Sequence, residues 1–512
     1  MREASRPPSP ASPAAAARLA GRLAIGRDGY ESGAAIAKVA TGIGGFDQVA
    51  MGGLPARRTT VVAGPAGAAK TLFAAQFLAE GVRSGQPGVF VTLEEPAADL
   101  RTNLATLGWD VESWEASGDW RFVDGSPLTP RLAGERPAYN VETLAAQIGA
   151  AVDRVGAQRL VLDSINAVLS FEADVVLARQ LLRGLVLQLR QMGLTVVLTI
   201  ETRDDPGGSL THYGVEEFVA DNVVLLRNIH EGTFRRRTVE VLKMRGAMHH
   251  KGDVPFTIVP GEGLRVLPVT VPALPPHTVE RVPSGIAGLD ELTHGGLFSG
   301  STTLVSGPTG AGKTMMAIQF AAGGLDHDET VLFMAFEESH EQVRVSGAAL
   351  GSDFVKHEEQ GNLHVVSLYP EVASLDDHLV EVFELVQRVR PTRLVLDGLS
   401  ALERLGSEHS YHGFLLGITA FVRSVGLVTL ITASPPAGAG GSSTSNHITG
   451  LVDTIIVLRH HESGATIRRG VHIQRMRGSS HENAVRELTI DERGVTIGGS
   501  LHVSADHPAV PE

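Results

Sequence analysis

The chain has 512 residues, more than one ordinary hydrophobic core accommodates, so it divides into at least two domains. With 43% hydrophobic and 20% charged residues it has a folded globular composition, and a net charge of −13 without a basic run argues against nucleic acid as a partner. It contains no cysteine, which excludes disulfides, thiolate zinc sites and cysteine nucleophiles and suits a reducing cytoplasm, and no apolar run approaches the roughly 18 residues that span a bilayer.

Residues 1–37 are rich in Pro, Ala and Ser and are expected to form a disordered extension without a secretory signal. The β-rich run "TTVVA" follows, then "GPAGAAKT" at 64–71, then an apolar pattern of helical period. Strand, glycine-bearing loop and helix form the context in which backbone N–H groups cradle phosphates. Gly64 and Gly67 supply the turn, Lys70 reaches the β- and γ-phosphates, and the Thr71 hydroxyl suits Mg²⁺. Ala69 stands where the pattern G-x-x-x-x-G-K-S/T has glycine, and its methyl carries a cost if the loop needs a positive φ or close approach to the β-phosphate. Because the lysine and every carboxylate are kept, an altered nucleotide site is expected rather than an abandoned one.

"GVFVTLEE" reads as a buried strand ending in Glu94 and Glu95, adjacent carboxylates that project oppositely, so that one can polarise an attacking water or hydroxyl while the other orients its neighbours. "RLVLDS" is a second strand, ending in Asp163, suited to a water-mediated Mg²⁺ contact. In "EVLKMRG" the alternation puts Lys243 and Arg245 on one strand face; paired cations on a late strand suggest charges delivered to a neighbouring subunit's γ-phosphate. The pairs His249–His250 and His460–His461 lack carboxylates at metal spacing and read as surface histidines.

After a Pro-rich stretch at 266–283, with the boundary placed at 278, every landmark recurs. Gly64 and Gly307, Lys70 and Lys313, and Glu94 and Glu337 are each 243 positions apart. The second copy supplies Gly307, Gly310, Gly312, Lys313 and Thr314 in the loop, then Glu337 and Glu338, Asp397, and the cations Arg475 and Arg477. A domain at 38–278 and its duplicate at 279–500, with a short tail at 501–512, are therefore expected. Each is an α/β domain, a mostly parallel sheet covered by helices, with its ligand at the carboxyl ends of the strands.

These segments, in this order from about residue 38 to 495, resemble the KaiC family of RecA-fold ATPases and serine/threonine autokinases. "TGIGGFDQVAMGGLP", "RRRTVEVLKMRG", "LVLDGLSAL" and "MRGSSHENAVREL" carry the likeness. The resemblance implies tandem RecA-like P-loop NTPase domains and a double-ringed homohexamer with ATP and Mg²⁺ at subunit interfaces. It further implies hydrolysis in the first ring and self-phosphorylation in the second, with Glu94 and Glu337 as leading catalytic carboxylates. Where the family has two adjacent hydroxyl acceptors, this chain has Thr449 and Gly450, which leaves Thr449, and less directly Thr444, as phosphoacceptors. A KaiB-like or other signalling protein is an expected partner; KaiA is not, because the ending "LHVSADHPAVPE" differs from the helical tail that the family uses to meet it.

Overall fold

The computed structural model describes residues 36–126, 141–169, 175–202, 220–267, 280–434, 448–463, 466–492 and 494–501. Residues 1–35 of the expected extension, the boundary at 278, Thr444 and residues 502–512 of the tail lie outside the described residues.

Each half builds one nine-stranded sheet. In the first half the strands are β1 (Thr59–Gly64), β2 (Gly88–Thr92), β3 (Trp120–Asp124), β4 (Arg159–Asp163), β5 (Thr195–Glu201), β6 (Asn222–Glu231), β7 (Phe234–Met244), β8 (Val254–Val259) and β9 (Gly263–Val266), in the spatial order β9-β8-β7-β6-β1-β5-β4-β2-β3. The six from β6 to β3 in that order are parallel, and β7, β8 and β9 extend the sheet antiparallel. The second half repeats the plan with β10 (Thr302–Ser306), β11 (Val331–Ala335), β12 (Leu363–Ser367), β13 (Arg393–Asp397), β14 (Val428–Ala433), β15 (Thr454–Ser463), β16 (Thr466–Met476), β17 (Arg486–Asp491) and β18 (Gly494–Ser500). These are the tandem RecA-like α/β domains that the repeat predicts.

The central strands β1, β4 and β14 are buried along their whole length, as a parallel sheet covered on both faces requires. In β1 the alternation separates two cores: Val62 joins Phe73, Phe77 and Phe90 on one face, while Val61 and Ala63 join Leu160, Leu162 and Ile148 on the other. Helix α1 (Lys70–Arg83) supplies the first face with Phe73, Ala74, Phe77 and Leu78, and α3 (Val141–Val155) supplies the second with Leu144, Ile148 and Val152. Helix α2 (Ala97–Ala105) joins the α1 face through Leu100 and Leu104, and α4 (Val175–Gln191) joins the α3 face through Leu182 and Leu185. In the second half the corresponding elements used below are α5 (Lys313–Leu325), α6 (His340–Ala349), α7 (Leu375–Val389) and α8 (Glu408–Ser424).

This strand order positions the sites. The chain leaves β1 at the centre and crosses over β5 and β4 to reach β2, so the tips of β4 and β5 stand beside the loop that follows β1. A buried arginine opens β4 and β13 alike. Arg393 is paired with Glu329 at 2.7 and 2.8 Å and donates to the Phe320 and Pro283 carbonyls, whereas Arg159 bonds the Gln86 amide oxygen and the Ala40 and Phe77 carbonyls, all neutral. Burial pushes Arg159 down to about 10. The halves also touch directly: Arg236 of β7 pairs with Asp376 of α7 at 2.9 Å, and the Glu231 carboxylate accepts the Ser407 N–H that opens α8.

Candidate nucleotide sites

Both phosphate loops close in the same way. Lys70 opens α1 and donates to the Pro65 carbonyl at 2.8 Å; Lys313 opens α5 and donates to the Gly307 and Pro308 carbonyls at 2.8 and 3.1 Å. Burial lowers the pKa of each lysine and nearby carboxylates oppose that, Glu201, Asp163 and Glu94 at Lys70 and Glu337 and Asp397 at Lys313. The glycines behave as expected, with Gly67 and Gly310 at φ 73° and 78°.

Ala69 adopts φ 67° and ψ 30°, the left-handed conformation that Gly312 adopts at φ 104°. The loop therefore needs a positive φ here, as the sequence suggests. Ala69 is itself partly buried and packs against the first-half core. At Gly312 the equivalent position is filled, since a Cβ there would lie 2.7 Å from Ile490 Cδ1.

The carboxylates sit differently from the sequence expectation. β2 and β11 end at Thr92 and Ala335, so Glu94, Glu95, Glu337 and Glu338 lie in bends beyond the strands. Helix starts are imposed immediately afterwards, by Pro96 at the N-cap of α2 and by the Ser339 capping box of α6, and these turn the chain out of the sheet. Glu94 turns to the lysine side and accepts from Ser164 Oγ at 3.1 Å, while Glu95 accepts from Asn103 of α2 at 2.7 Å. Burial raises both. In the second site Glu337 acts electrostatically on Lys313, and Glu338 points inward with Oε2 buried and without a hydrogen-bond partner among the described residues; burial raises its pKa.

Asp163 and Asp397 occupy the tips of β4 and β13. The Thr314 hydroxyl lies 3.0 Å from the Asp397 carboxylate, and Thr432 of β14 donates to the same group at 2.6 Å while accepting the Gly398 N–H. Thr199 holds Asp163 in the same way. Burial raises Asp397. Hydroxyl and carboxylate oxygens without nitrogen or sulfur fit a hard divalent cation. Thr71, the second residue of α1, holds the corresponding place in the first loop.

The four cations lie elsewhere. β7 ends at Met244 and β16 at Met476, so Arg245 and Arg477 follow the strands, and a register shift opposite Val223/Val224 and Ile455/Ile456 interrupts the alternation before Lys243 and Arg475. Bulges of this kind re-aim side chains near functional sites. Lys243 pairs across to Val223 and its neighbour Met244 to Asn222, which is level with Thr60; Gly64 is four residues further along β1, about 13 Å away. The structure thus does not bring these cations to their own phosphate loop. Lys243 donates to the Ala220 carbonyl at 2.9 Å, Arg475 to the Val452 carbonyl at 2.7 Å and to that of Thr449, and Arg477 to the Gly450 carbonyl at 2.5 Å. Thr449 sits half-buried in the helical turn whose carbonyls those arginines hold.

Several participants escaped the sequence reading. Arg237 and Arg469 donate to the loop carbonyls of Gly67 and Gly310 at 3.4 and 3.1 Å, and Ser164, Asn166, Thr199, Glu201 and Thr432 line the strand tips. The repeat itself was the available signal, since Arg237 and Arg469, and Thr199 and Thr432, are equivalent positions in the two copies. Among the described residues, no group of three or more His, Asp or Glu is arranged to hold a metal ion, and no helix is long and apolar enough to cross a membrane.

Residues 39–271 and 282–502 each match the family model described as "ATPase: KaiC". The chain belongs to the KaiC family. This KaiC-family ATPase is 43% identical over 468 residues to the circadian clock protein KaiC3 of Synechocystis sp., covering 90% of this chain and 92% of the relative. It is 38% identical over 477 residues to the circadian clock oscillator protein KaiC of Thermostichus vulcanus, covering 92% and 91%. It is also 38% identical over 471 residues to that of Synechococcus elongatus, covering 91% and 90%. Family membership implies ATP as the nucleotide.

Proposed function

We propose that this KaiC-family ATPase hydrolyses Mg-ATP at both sites, assembles as a homohexamer with ATP at subunit interfaces, and phosphorylates itself at Thr449, acting as a signalling or clock-like switch. The observation that carries the hydrolytic reading is the convergence of Lys313 and Thr314, at the start of α5, with Asp397 and Glu337, at and just beyond the tips of β13 and β11, repeated as Lys70, Thr71, Asp163 and Glu94. In this reading Lys313 exchanges its loop carbonyls for phosphate oxygens, and Glu337 and Glu94, the carboxylates near the two lysines, polarise the attacking water or hydroxyl. Thr314 with Asp397, and Thr71 with Asp163, would hold Mg²⁺, which would supply charge neutralisation on the triphosphate.

The cations support an interface placement of ATP. Lys243, Arg245, Arg475 and Arg477 stand at the far end of the sheet from their own loop, so a γ-phosphate that they stabilise belongs to an adjoining subunit. A KaiB-like or other signalling protein is the partner class that this reading calls for.

Gly450 beside Thr449 favours a second reading, an ATP-driven scaffold without kinase activity, because glycine leaves one hydroxyl where a two-step phosphorylation cycle needs two. Native mass spectrometry with and without Mg-ATP, followed by phosphopeptide mapping after incubation with radiolabelled ATP, separates them. A nucleotide-dependent hexamer carrying label at Thr449 is the expected result. A hexamer without label supports the scaffold, and a monomer that leaves ATP intact removes both readings.

A further inference from the structure

The two sites differ in one connected set of residues. Glu201 ends β5, paired in parallel register with Gly64, the first residue of the phosphate loop. Its backbone N–H donates to Asn166 Oδ1 at 2.8 Å, Asn166 approaches Ser164 Oγ at 3.4 Å, and Ser164 donates to Glu94 at 3.1 Å. In the second site these positions are Ser434, Ser400 and Gly398: the backbone tie survives, from Ser434 N–H to Ser400 Oγ at 2.6 Å, but the carboxylate at the strand tip and the hydroxyl that holds Glu337 are both missing.

Around Lys70 the carboxylate with the largest electrostatic effect is Glu201, ahead of Asp163 and Glu94. Around Lys313 the carboxylates that act, among the described residues, are Glu337 and Asp397. The first site therefore carries one more negative charge at the place where a triphosphate must lie.

We propose that Glu201 is a positioning residue of the first site: acting through Lys70 and by repulsion of the bound triphosphate, it weakens the ground state and speeds hydrolysis there, a device the second site lacks. The inference rests on the assignment of Lys70 and Glu94 to first-site hydrolysis. The backbone tie to Asn166 fixes where the Glu201 side chain leaves the strand, beside the loop, and repulsion from the triphosphate is relieved as the γ-phosphoryl group departs. Removing that charge tightens substrate binding and slows turnover together, the pattern of lost ground-state destabilisation. Glu201 is exposed, and one unit charge several ångströms from the phosphates in largely water-like surroundings is worth about a fivefold effect, on the order of 1 kcal/mol.

The test uses the full-length chain with Lys313→Ala, so that only the first site turns over. Adding Glu201→Gln, which keeps shape and removes charge, is expected to lower KM for Mg-ATP and kcat about fivefold each, while Glu201→Asp stays within twofold of the parent. Ser434→Glu in a Lys70→Ala chain is expected to raise the second site's KM by a similar factor. Glu201→Gln with unchanged KM and kcat overturns the proposal, as does a raised KM with lowered kcat, the signature of a loosened site. A Lys70→Ala, Lys313→Ala chain serves as reference: hydrolysis persisting there overturns the site assignment itself, whereas its loss leaves a failed Glu201→Gln result to count against Glu201 alone.

Discussion

Replacing Gly312 by alanine gives the second phosphate loop the residue that the first one carries at Ala69, and the structure says the exchange is not neutral. At φ 104° an L-residue is strained, at about 1–2 kcal/mol, and the new Cβ would lie 2.7 Å from Ile490 Cδ1, adding about 1 kcal/mol of overpacking. Loss of glycine's freedom in the unfolded chain offsets roughly 0.4–1 kcal/mol. The net destabilisation of the second domain is about 1–2 kcal/mol, or about 5- to 30-fold in its opening equilibrium. Hydrogen exchange of the β10 and α5 amides measures this, with β1 and α1 as an internal reference that stays unchanged. Ile490→Val removes the clashing atom and is expected to return part of the loss in a double-mutant cycle. Exchange within twofold of the parent, or no coupling between positions 312 and 490, would refute the reasoning. The converse change, Ala69→Gly, is expected to leave first-site ATP affinity within twofold, since the methyl group packs on the core.

Gln86→Glu supplies Arg159 with the carboxylate that Glu329 gives Arg393, and is expected to stabilise the first domain by about 1–2 kcal/mol; the three tryptophans, at positions 109, 114 and 120, all report on that domain during urea titration. Glu338→Gln is expected to stabilise the ligand-free second domain at neutral pH. Because burial holds the folded pKa of Glu338 above its ordinary 4.5, the cost is absent below that value, where both states are protonated, grows as pH rises from there to the folded pKa, and is full above it. Denaturation midpoints that show the same gain at pH 4 and pH 7 would exclude this cause. Arg245→Ala is expected to slow first-site hydrolysis about a thousandfold, and mixing it with a Lys70→Ala chain to restore part of the rate; a rate within twofold of the parent would reduce Arg245 to surface charge.

The phosphate loops, the buried parallel strands and the aspartates at their tips were legible in the sequence because each is a local pattern: a loop between a strand and a helix, an apolar run, a charge that ends it. Duplication made them firmer, since Lys70 and Lys313 or Asp163 and Asp397 vouch for one another. Local pattern also fixed that Ala69 sits at a position made for a positive φ. That its side chain packs against the first-half core was decided by the fold, which no spacing in the chain encodes. Tertiary structure likewise decided that Glu94 turns toward Lys70 while Glu95 turns to Asn103, because the bend after β2 is set by the start of α2. It alone placed Glu201, 131 residues beyond Lys70 in the chain, beside the first loop, and Lys243 at the opposite end of the sheet from it. Residues far apart in sequence meet through strand order and register, which arise from packing the whole sheet rather than from any one segment.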